Sequence, residues 1–411
     1  MGYFELDLSI PGDVKAAVRE VQQFAKKHLR PAGIELDGLY NPADVYAGKS
    51  VIRDVFKVYR KLDLHTRDIP KEAGGMAGEL HQKAGPIIVE EMGQGDAGLA
   101  VSLEMSNLPF ALAAMSSAPD LRKLAGAYCR DIDARMIGCW ALPDSGSYLD
   151  WLLSGSGDAV KTETPLEIEA VLSGNEYRIN GAITAWIANA PMATHAAVPV
   201  RLDPSRGIPG CGVAVVPLDL AGITVGSPLD RIGQRTLPRS RIAFEGVKIP
   251  LSFMAVSGLD KARPQLTHLL TLTNGIHAAA SVGLAQDAYE EALSYAKQRV
   301  QGGVPIFEHK NVRLQLFNMF TKVETARAYS RRVGEYNRTA ESAAIHHSLA
   351  AKVFCTRTAF EVASDAIAIF GGNGLTREYP VEKMFRDARV AMISDGENSV
   401  LSISAAGELV K

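Results

Sequence analysis

"AIAIFGGNGLTREYPVEKMFRDARVAMISDGENSV", residues 366–400, is the stretch on which the reading of this chain turns. An apolar helical run ends at two adjacent glycines, Gly371 and Gly372, and Asn373-Gly374 continues a turn in which the backbone can approach a ligand closely. Such a turn suits a pyrophosphate or a ribityl chain. It suits a plain helix C-cap equally well. Further on, Asp395-Gly396 places an acid at a second turn, and Asp-Gly pairs favour turns for reasons of their own.

Outward from this stretch the texture of the chain changes twice. After Ala262 helical periodicity runs through "GIHAAASVGLAQDAYEEALSYAKQR", "NVRLQLFNMFTKVETARAYSRRVGEYN" and "SLAAKVFCTRTAFEVASDAIAIF", which predicts a bundle of four long helices. Between about Met136 and Pro250 the chain breaks into short β-branched runs separated by turn residues, such as "YRINGAITAWIA" and "GCGVAVVPL". From Pro11 to Arg135 apolar residues return to helical spacing, as in Val14, Val18, Val21 and Ala25, or Ile87, Ile88 and Met92. The expected class is therefore α+β, mostly α, with domains at 1–135, 136–255 and 256–411. Strands and helices do not alternate and no GxGxxG follows a strand, which disfavours a doubly wound nucleotide fold.

Composition narrows the field further. The 411 residues carry 44 Lys and Arg against 46 Asp and Glu, a net charge of −2, so no basic field calls for nucleic acid or an anionic membrane. Hydrophobic residues make up 47% and charged residues 22%, which is ordinary globular composition. Four cysteines, at 129, 139, 211 and 355, form no CxxC pair and no zinc spacing, and no metal is expected. The N-terminus lacks a basic and apolar leader, and no window holds 18 uncharged apolar residues. A cytoplasmic, soluble protein is expected.

"GGNGxxxEYPVEKxxRDA", followed by an acid-glycine pair, closely resembles the C-terminal signature of the acyl-CoA dehydrogenase family. Three other blocks agree in order and spacing: "YRINGAITAWIANA" (177–190), "RIGQRTLPRSRIAFEGVKIP" (231–250) and "AAASVGLAQDAYEEALSYAKQR" (278–299). The resemblance runs from about residue 85 to the end. It implies an N-terminal helical domain, a middle β-barrel and a C-terminal four-helix bundle, with FAD held between domains and subunits of a homotetramer. It also implies an acyl-CoA substrate and electron-transferring flavoprotein as acceptor. In such enzymes a carboxylate takes the α-proton of a CoA thioester while the flavin takes a hydride from the β-carbon. An α-C–H beside a thioester is too weak an acid for a carboxylate in water, so the site must supply fixed donors to the enolate oxygen and exclude water.

The resemblance puts Asp395 at the base position, where a glutamate is usual, and gives the oxyanion donor as its own backbone N–H, with Gly396 beside the substrate. Aspartate is one methylene shorter, and a misplacement of about 1 Å costs about 100-fold in rate. Family members acting on cyclohexane- and cyclohexene-carboxyl-CoA resemble this chain in using aspartate, which favours an alicyclic substrate here. Glu397 is an alternative base two residues on. Bundle positions that carry the base in some members read Thr273 and Asn274, and Asn274 stands where an arginine is usual.

By the same resemblance Arg299 and Gln301 meet the FAD diphosphate, where a guanidinium fork is well matched, and Gly371 and Gly372 receive the cofactor chain. Trp186 flanks the isoalloxazine. Ala188 replaces a threonine near flavin N5, Ala368 replaces a glutamine, and Gly302 a phenylalanine. Leu142 and Pro143, in "CWALPDSGSYLDW" (139–151), replace flavin- and substrate-contacting residues, with Ser145 and Ser147 as compensating candidates. "EEMGQGDAGLAVSLEMSN" (90–107) resembles the helix at the bottom of the acyl pocket, which nominates Glu104 for substrate contact. Asp96 is read chiefly as a helix cap. Bland alternatives stand beside several of these: a buried core tryptophan at 186 and a solvated helix-end cation at 299. Three other readings remain: a flavin monooxygenase of the same fold, a desulfinase, and a flavin-free structural paralogue.

Overall fold

Apolar spacing is what assembles the first third. A computed structural model describes residues 9–142, 146–153, 166–202, 210–340 and 342–409. Val14, Val18, Val21 and Phe24 line the buried face of α1 (Gly12–Phe24), which leads through one wider, π-helical turn (Ala25–Leu29) into α2 (Arg30–Asp37). Then come α3 (Ile52–Lys61), α4 (Ala84–Gly95), α5 (Ala97–Met105), α6 (Leu108–Met115) and α7 (Pro119–Cys129). The stretch Ala97–Met115 has the length and hydropathy of a membrane span, but it is broken between α5 and α6 and 83% of it is buried inside the protein. It is core.

The middle third forms one curled sheet of eight strands. These are β1 (Gly138–Trp140), β2 (Glu169–Ser173), β3 (Glu176–Ala188), β4 (His195–Leu202), β5 (Cys211–Pro217), β6 (Ile223–Val225), β7 (Arg239–Pro250) and β8 (Met254–Ser257). They run in the order β6-β7-β3-β2-β4-β5-β8, with β1 parallel to β4 at the side, and α8 (Gly146–Leu153) lies between β1 and β2. Alternating side chains such as Ile179, Ile183, Ile187, Ile242 and Phe244 fill its own core. The pairing of β3 with β7 slips between Ile183 and Ile187. Trp186 sits in that irregularity with φ +71°, a left-handed conformation uncommon for a bulky side chain.

From Leu259 the chain is helical again: α9 (Leu259–Gln298), a small hairpin of β9 (Val300–Gln301) and β10 (Val304–Pro305), α10 (Lys310–Thr339) and α11 (Ile345–Phe370). The sequence reading foresees a fourth long helix. In its place stand two short ones, α12 (Val381–Ala391) and α13 (Asn398–Glu408), because Asp395 (φ +52°) and Gly396 (φ +109°) turn the chain between them. α9 also docks the N-terminal helices. A Cβ on Gly93 would lie 2.4 Å from the Ala280 carbonyl oxygen, and one on Gly283 2.0 Å from that of Glu90, so α4 and α9 cross with backbones in contact.

Candidate active site

The break between α12 and α13 is held open from within the bundle. Lys352, fully buried on α11, donates from its single Nζ to Met392 O (3.2 Å), Gly396 O (2.5 Å) and Asn398 Oδ1 (2.9 Å). All three acceptors flank Asp395, so one ammonium latches both sides of the turn. Glu397 caps α13, its carboxylate accepting from Ser399 N (2.8 Å) and Val400 N (3.2 Å), which commits it to its own helix.

Asp395 itself, 11% exposed, faces two fully buried cations or potential cations. Arg239 Nη1 lies 3.6 Å from Oδ1, and His277 Nε2, on α9, lies 3.4 Å from Oδ2. Burial pushes the Asp395 carboxyl up, but His277, Arg239 and Lys352 together outweigh it and hold the group well below the usual carboxylate range. Burial pushes the His277 imidazole down, more than Asp395 pulls it up, so at neutral pH it is neutral and serves Asp395 as an N–H donor. The permanent charges near the carboxylate are then Arg239 and Lys352. The backbone N–H of Asp395 meets no acceptor among the described residues.

Arg239 also connects the acid to the sheet. Its Nη1 donates to Trp186 O at 2.7 Å, so one guanidinium spans the Trp186 irregularity and Asp395. Trp186 keeps 38% of its surface exposed while Ala188, next in the strand but one, is buried. Leu142 is half-buried at the end of the described segment beyond β1. Pro143 and Ser145 lie outside the described residues, as does the side chain of Ser147.

A second set gathers elsewhere. Arg299 ends α9 and Gln301 follows on β9, both exposed. Tyr295, one turn back, stacks on Phe370 with ring centroids 4.0 Å apart and accepts from Asn373 Nδ2 at 3.0 Å. That contact sets Tyr295, four residues before Arg299, against the Gly371–Gly372 turn, where Gly371 has φ +60° and an added Cβ would meet open space at either glycine. Ala368 is exposed nearby on α11. At 1.5 Å per residue the helix axis carries Arg299 about 33 Å from His277. One chain therefore does not bring this set to Asp395.

Glu104 goes a different way from Asp395. It accepts from Arg67 Nη2 at 2.7 Å and Tyr59 Oη at 3.3 Å, deep in the N-terminal helices. It lines a cavity of ≈ 80 Å³ with Thr271, Leu272, Gly275, Ile276 and Ala279, which share one face of α9. His277 and Asn274 project from the other side of that helix at 3.6 residues per turn. Asp96 caps α5, accepting from Leu99 N at 2.8 Å.

Sequence reasoning did not nominate Arg239, His277 or Lys352. A signal existed for two of them: His277 stands one turn from Asn274 in an otherwise apolar run, and Lys352 interrupts the apolar "SLAAKVFC". Arg239 carries no such mark: it opens β7, paired with Ala188, and nothing in its local spacing sets it apart.

Two family models match the chain: "Acyl-CoA dehydrogenase, N-terminal domain" over residues 12–118 and "Acyl-CoA dehydrogenase, C-terminal domain" over residues 264–409. The probable acyl-CoA dehydrogenase YngJ of Bacillus subtilis is 31% identical over 409 residues, covering 96% of this chain and 97% of the relative. Cyclohexane-1-carbonyl-CoA dehydrogenase of Geobacter metallireducens is 25% identical, covering 97% and 98%. Among solved structures, butyryl-CoA dehydrogenase from Megasphaera elsdenii superposes with a TM-score of 0.83 at 21% identity, covering 98% of this chain and all of that one. The chain belongs to the acyl-CoA dehydrogenase family, FAD-dependent oxidoreductases that act on CH–CH bonds of acyl-CoA thioesters. The residues present fit that cofactor: Trp186, 38% exposed, has its carbonyl bonded by the same Arg239 that faces Asp395, and the exposed Arg299 follows Tyr295, which packs on Phe370 just before two glycines with free space, a set suited to a diphosphate.

Proposed function

We propose that this chain dehydrogenates an alicyclic CoA thioester of the cyclohexane- or cyclohexene-carboxyl class, with Asp395 as the base. One observation carries the reading: the only acid at the α12–α13 turn that is not spent on a helix cap is an aspartate, bridged through Arg239 to Trp186. Its reach is about 1 Å shorter than a glutamate's, so the α-carbon must come nearer to the turn. The similarity to a cyclohexane-1-carbonyl-CoA dehydrogenase supports the same class.

In this reading Asp395 takes the α-proton onto a carboxylate oxygen, and its own backbone N–H donates to the thioester oxygen as negative charge develops there. Bound FAD supplies the acceptor for the β-hydride. Arg239 and His277 keep the carboxylate ionised and aimed, and Lys352 fixes the turn that carries it. Burial of all three excludes the water that would otherwise level their charges. A second copy of the chain supplies the Arg299, Gln301, Gly371 and Gly372 set, in a homotetramer, and electrons pass on to electron-transferring flavoprotein.

The test is an anaerobic titration of the FAD-loaded protein with linear, dicarboxylic and cyclic CoA thioesters, following flavin bleaching. Bleaching by the cyclic thioesters is expected; bleaching by straight-chain thioesters alone contradicts the alicyclic assignment. An oxygenase that needs no α-proton base would keep its activity when Asp395 is replaced by alanine, which separates that reading from this one.

A further inference from the structure

The loop between β6 and β7 holds a buried cation with no acid of its own. Arg231 is 9% exposed; its Nη2 donates to two backbone carbonyls, Gln234 O at 2.6 Å and Leu237 O, and its Nε and Nη1 meet no acceptor among the described residues. Asp387, the acid that draws on it, already takes Lys383 Nζ at 2.6 Å and the Gln234 N–H. Burial, with Arg239 after it, pushes the guanidinium down to about 9, so it stays charged at neutral pH. An unpaired buried charge is costly, and folds keep few of them. The loop does not need this one to hold its course. A Cβ on Gly233 would lie 2.3 Å from Arg386 O, so the loop already rests on α12, and a neutral donor could serve the same two carbonyls. What distinguishes Arg231 is its place. Leu237, whose carbonyl it bonds, stands two residues before Arg239, which pairs with Ala188 and donates to Trp186 O at 2.7 Å. Pro238 O, between them, accepts from Asn189 N at 2.8 Å.

We propose that Arg231 raises the reduction potential of the bound FAD, as a fixed positive charge that stabilises the negative charge the flavin gains on reduction. In the dehydrogenation the α-carbon gives its proton to the Asp395 carboxylate, the β-carbon gives a hydride to the flavin, and a double bond forms between the two carbons. Asp395 ends neutral and the reduced flavin carries the negative charge in its stead. Arg239 and Lys352 face Asp395 and lose that anion in the step; Arg231 has none to lose. A charge buried away from water acts over several ångströms, so Arg231 need not touch the ring to favour its reduced form. The inference rests on the flavin lying beside Trp186 and holds whichever thioester is oxidised.

The experiment measures the midpoint potential of bound FAD without any thioester, by anaerobic reductive titration against reference dyes, in the FAD-loaded wild type, Arg231→Lys, Arg231→Gln and Arg231→Met. Lysine keeps the charge. Glutamine keeps a donor for the carbonyls without the charge, and methionine, neutral and unbranched, gives a second reading of the same loss. Both neutral variants should lower the equilibrium constant for flavin reduction by about tenfold or more, about 30 mV for a two-electron couple, while Arg231→Lys stays within about threefold of wild type. The potential belongs to the flavin that is bound, so partial loss of folded or loaded protein does not move it. A wild-type potential in the neutral variants overturns the proposal. A potential as low in Arg231→Lys as in Arg231→Gln also overturns it, leaving Arg231 a staple of its loop. Either result leaves the Asp395 and alicyclic readings standing, because no thioester enters the measurement; if cyclic thioesters fail to bleach the flavin while the potential shifts as expected, those readings fail alone.

Discussion

Asp96 and Asp395 are both buried aspartates facing cations, and they differ in how completely they are bonded. Asp96 Oδ1 accepts from Leu99 N and Thr236 Oγ1, each at 2.8 Å, and Oδ2 from Lys383 Nζ at 2.6 Å. Lys383 also donates to Asp387 at 2.6 Å, and Asp387 accepts from Gln234 N. The network ties the N-terminal helices, the sheet and the bundle together. At Asp395 the neighbours stand at 3.4 and 3.6 Å, and unpaired atoms remain on His277 and Asn274. A closed network is a fastener. An open one, its acid still 11% exposed, is built around something that arrives later.

That contrast breaks most readily at the base. Asp395→Ala should slow flavin reduction by a CoA thioester about 100- to 10,000-fold, the range a general base contributes, with flavin content retained. Stopped-flow reduction within tenfold of wild type would remove the distinction between the two aspartates. The closed network should respond in stability instead. Lys383→Met strands two acids, and breaking a buried pair costs about 3–5 kcal/mol. Urea midpoints read the loss, and a change below about 1 kcal/mol would show that the network is not a fastener.

Smaller effects sharpen the open site. Lys352→Met frees three acceptors around the turn; a base displaced by about 1 Å should cost about 100-fold in the reduction rate at saturating thioester. Flavin content should hold, and a variant with wild-type rate would show the turn to be rigid without its latch. The smallest effect is on pH. The carboxyl of Asp395 is depressed by His277, Arg239 and Lys352 against the pull of burial, so it is ionised above its folded value, below the ordinary ~3.9 of a free aspartate. The stability this contributes is complete above that ordinary value and is lost as pH falls through the folded one. Arg239→Gln raises the folded value, so the acid limb of the pH profile for flavin reduction should move upward. An unmoved limb would mean that Arg239 does not touch the base electrostatically.

Much of the molecule was legible in its residues. Val14, Val18, Val21 and Ala25 announce a buried helical face by spacing alone, and all four are buried. Asp96 reads as a cap because acids before an apolar helix do that work, and it is one. Asp395 stood out at an Asp-Gly turn, but its partners did not. Arg239, His277 and Lys352 come from a strand and two helices, and what joins them is the packing of three elements around a broken fourth helix. Spacing along a chain reports one element at a time. The same limit applies to Glu104: its helix was identified, but its binding to Arg67, across the N-terminal helices, required the tertiary structure.

The most direct test of the proposed base leaves hydride transfer out altogether. FAD-loaded wild type and Asp395→Asn, incubated in heavy water with a CoA thioester whose β-carbon cannot give up hydride, should differ in α-deuterium uptake by mass spectrometry. Wild type should exchange the α-proton and the asparagine variant should not. Equal exchange in the two would place the base elsewhere.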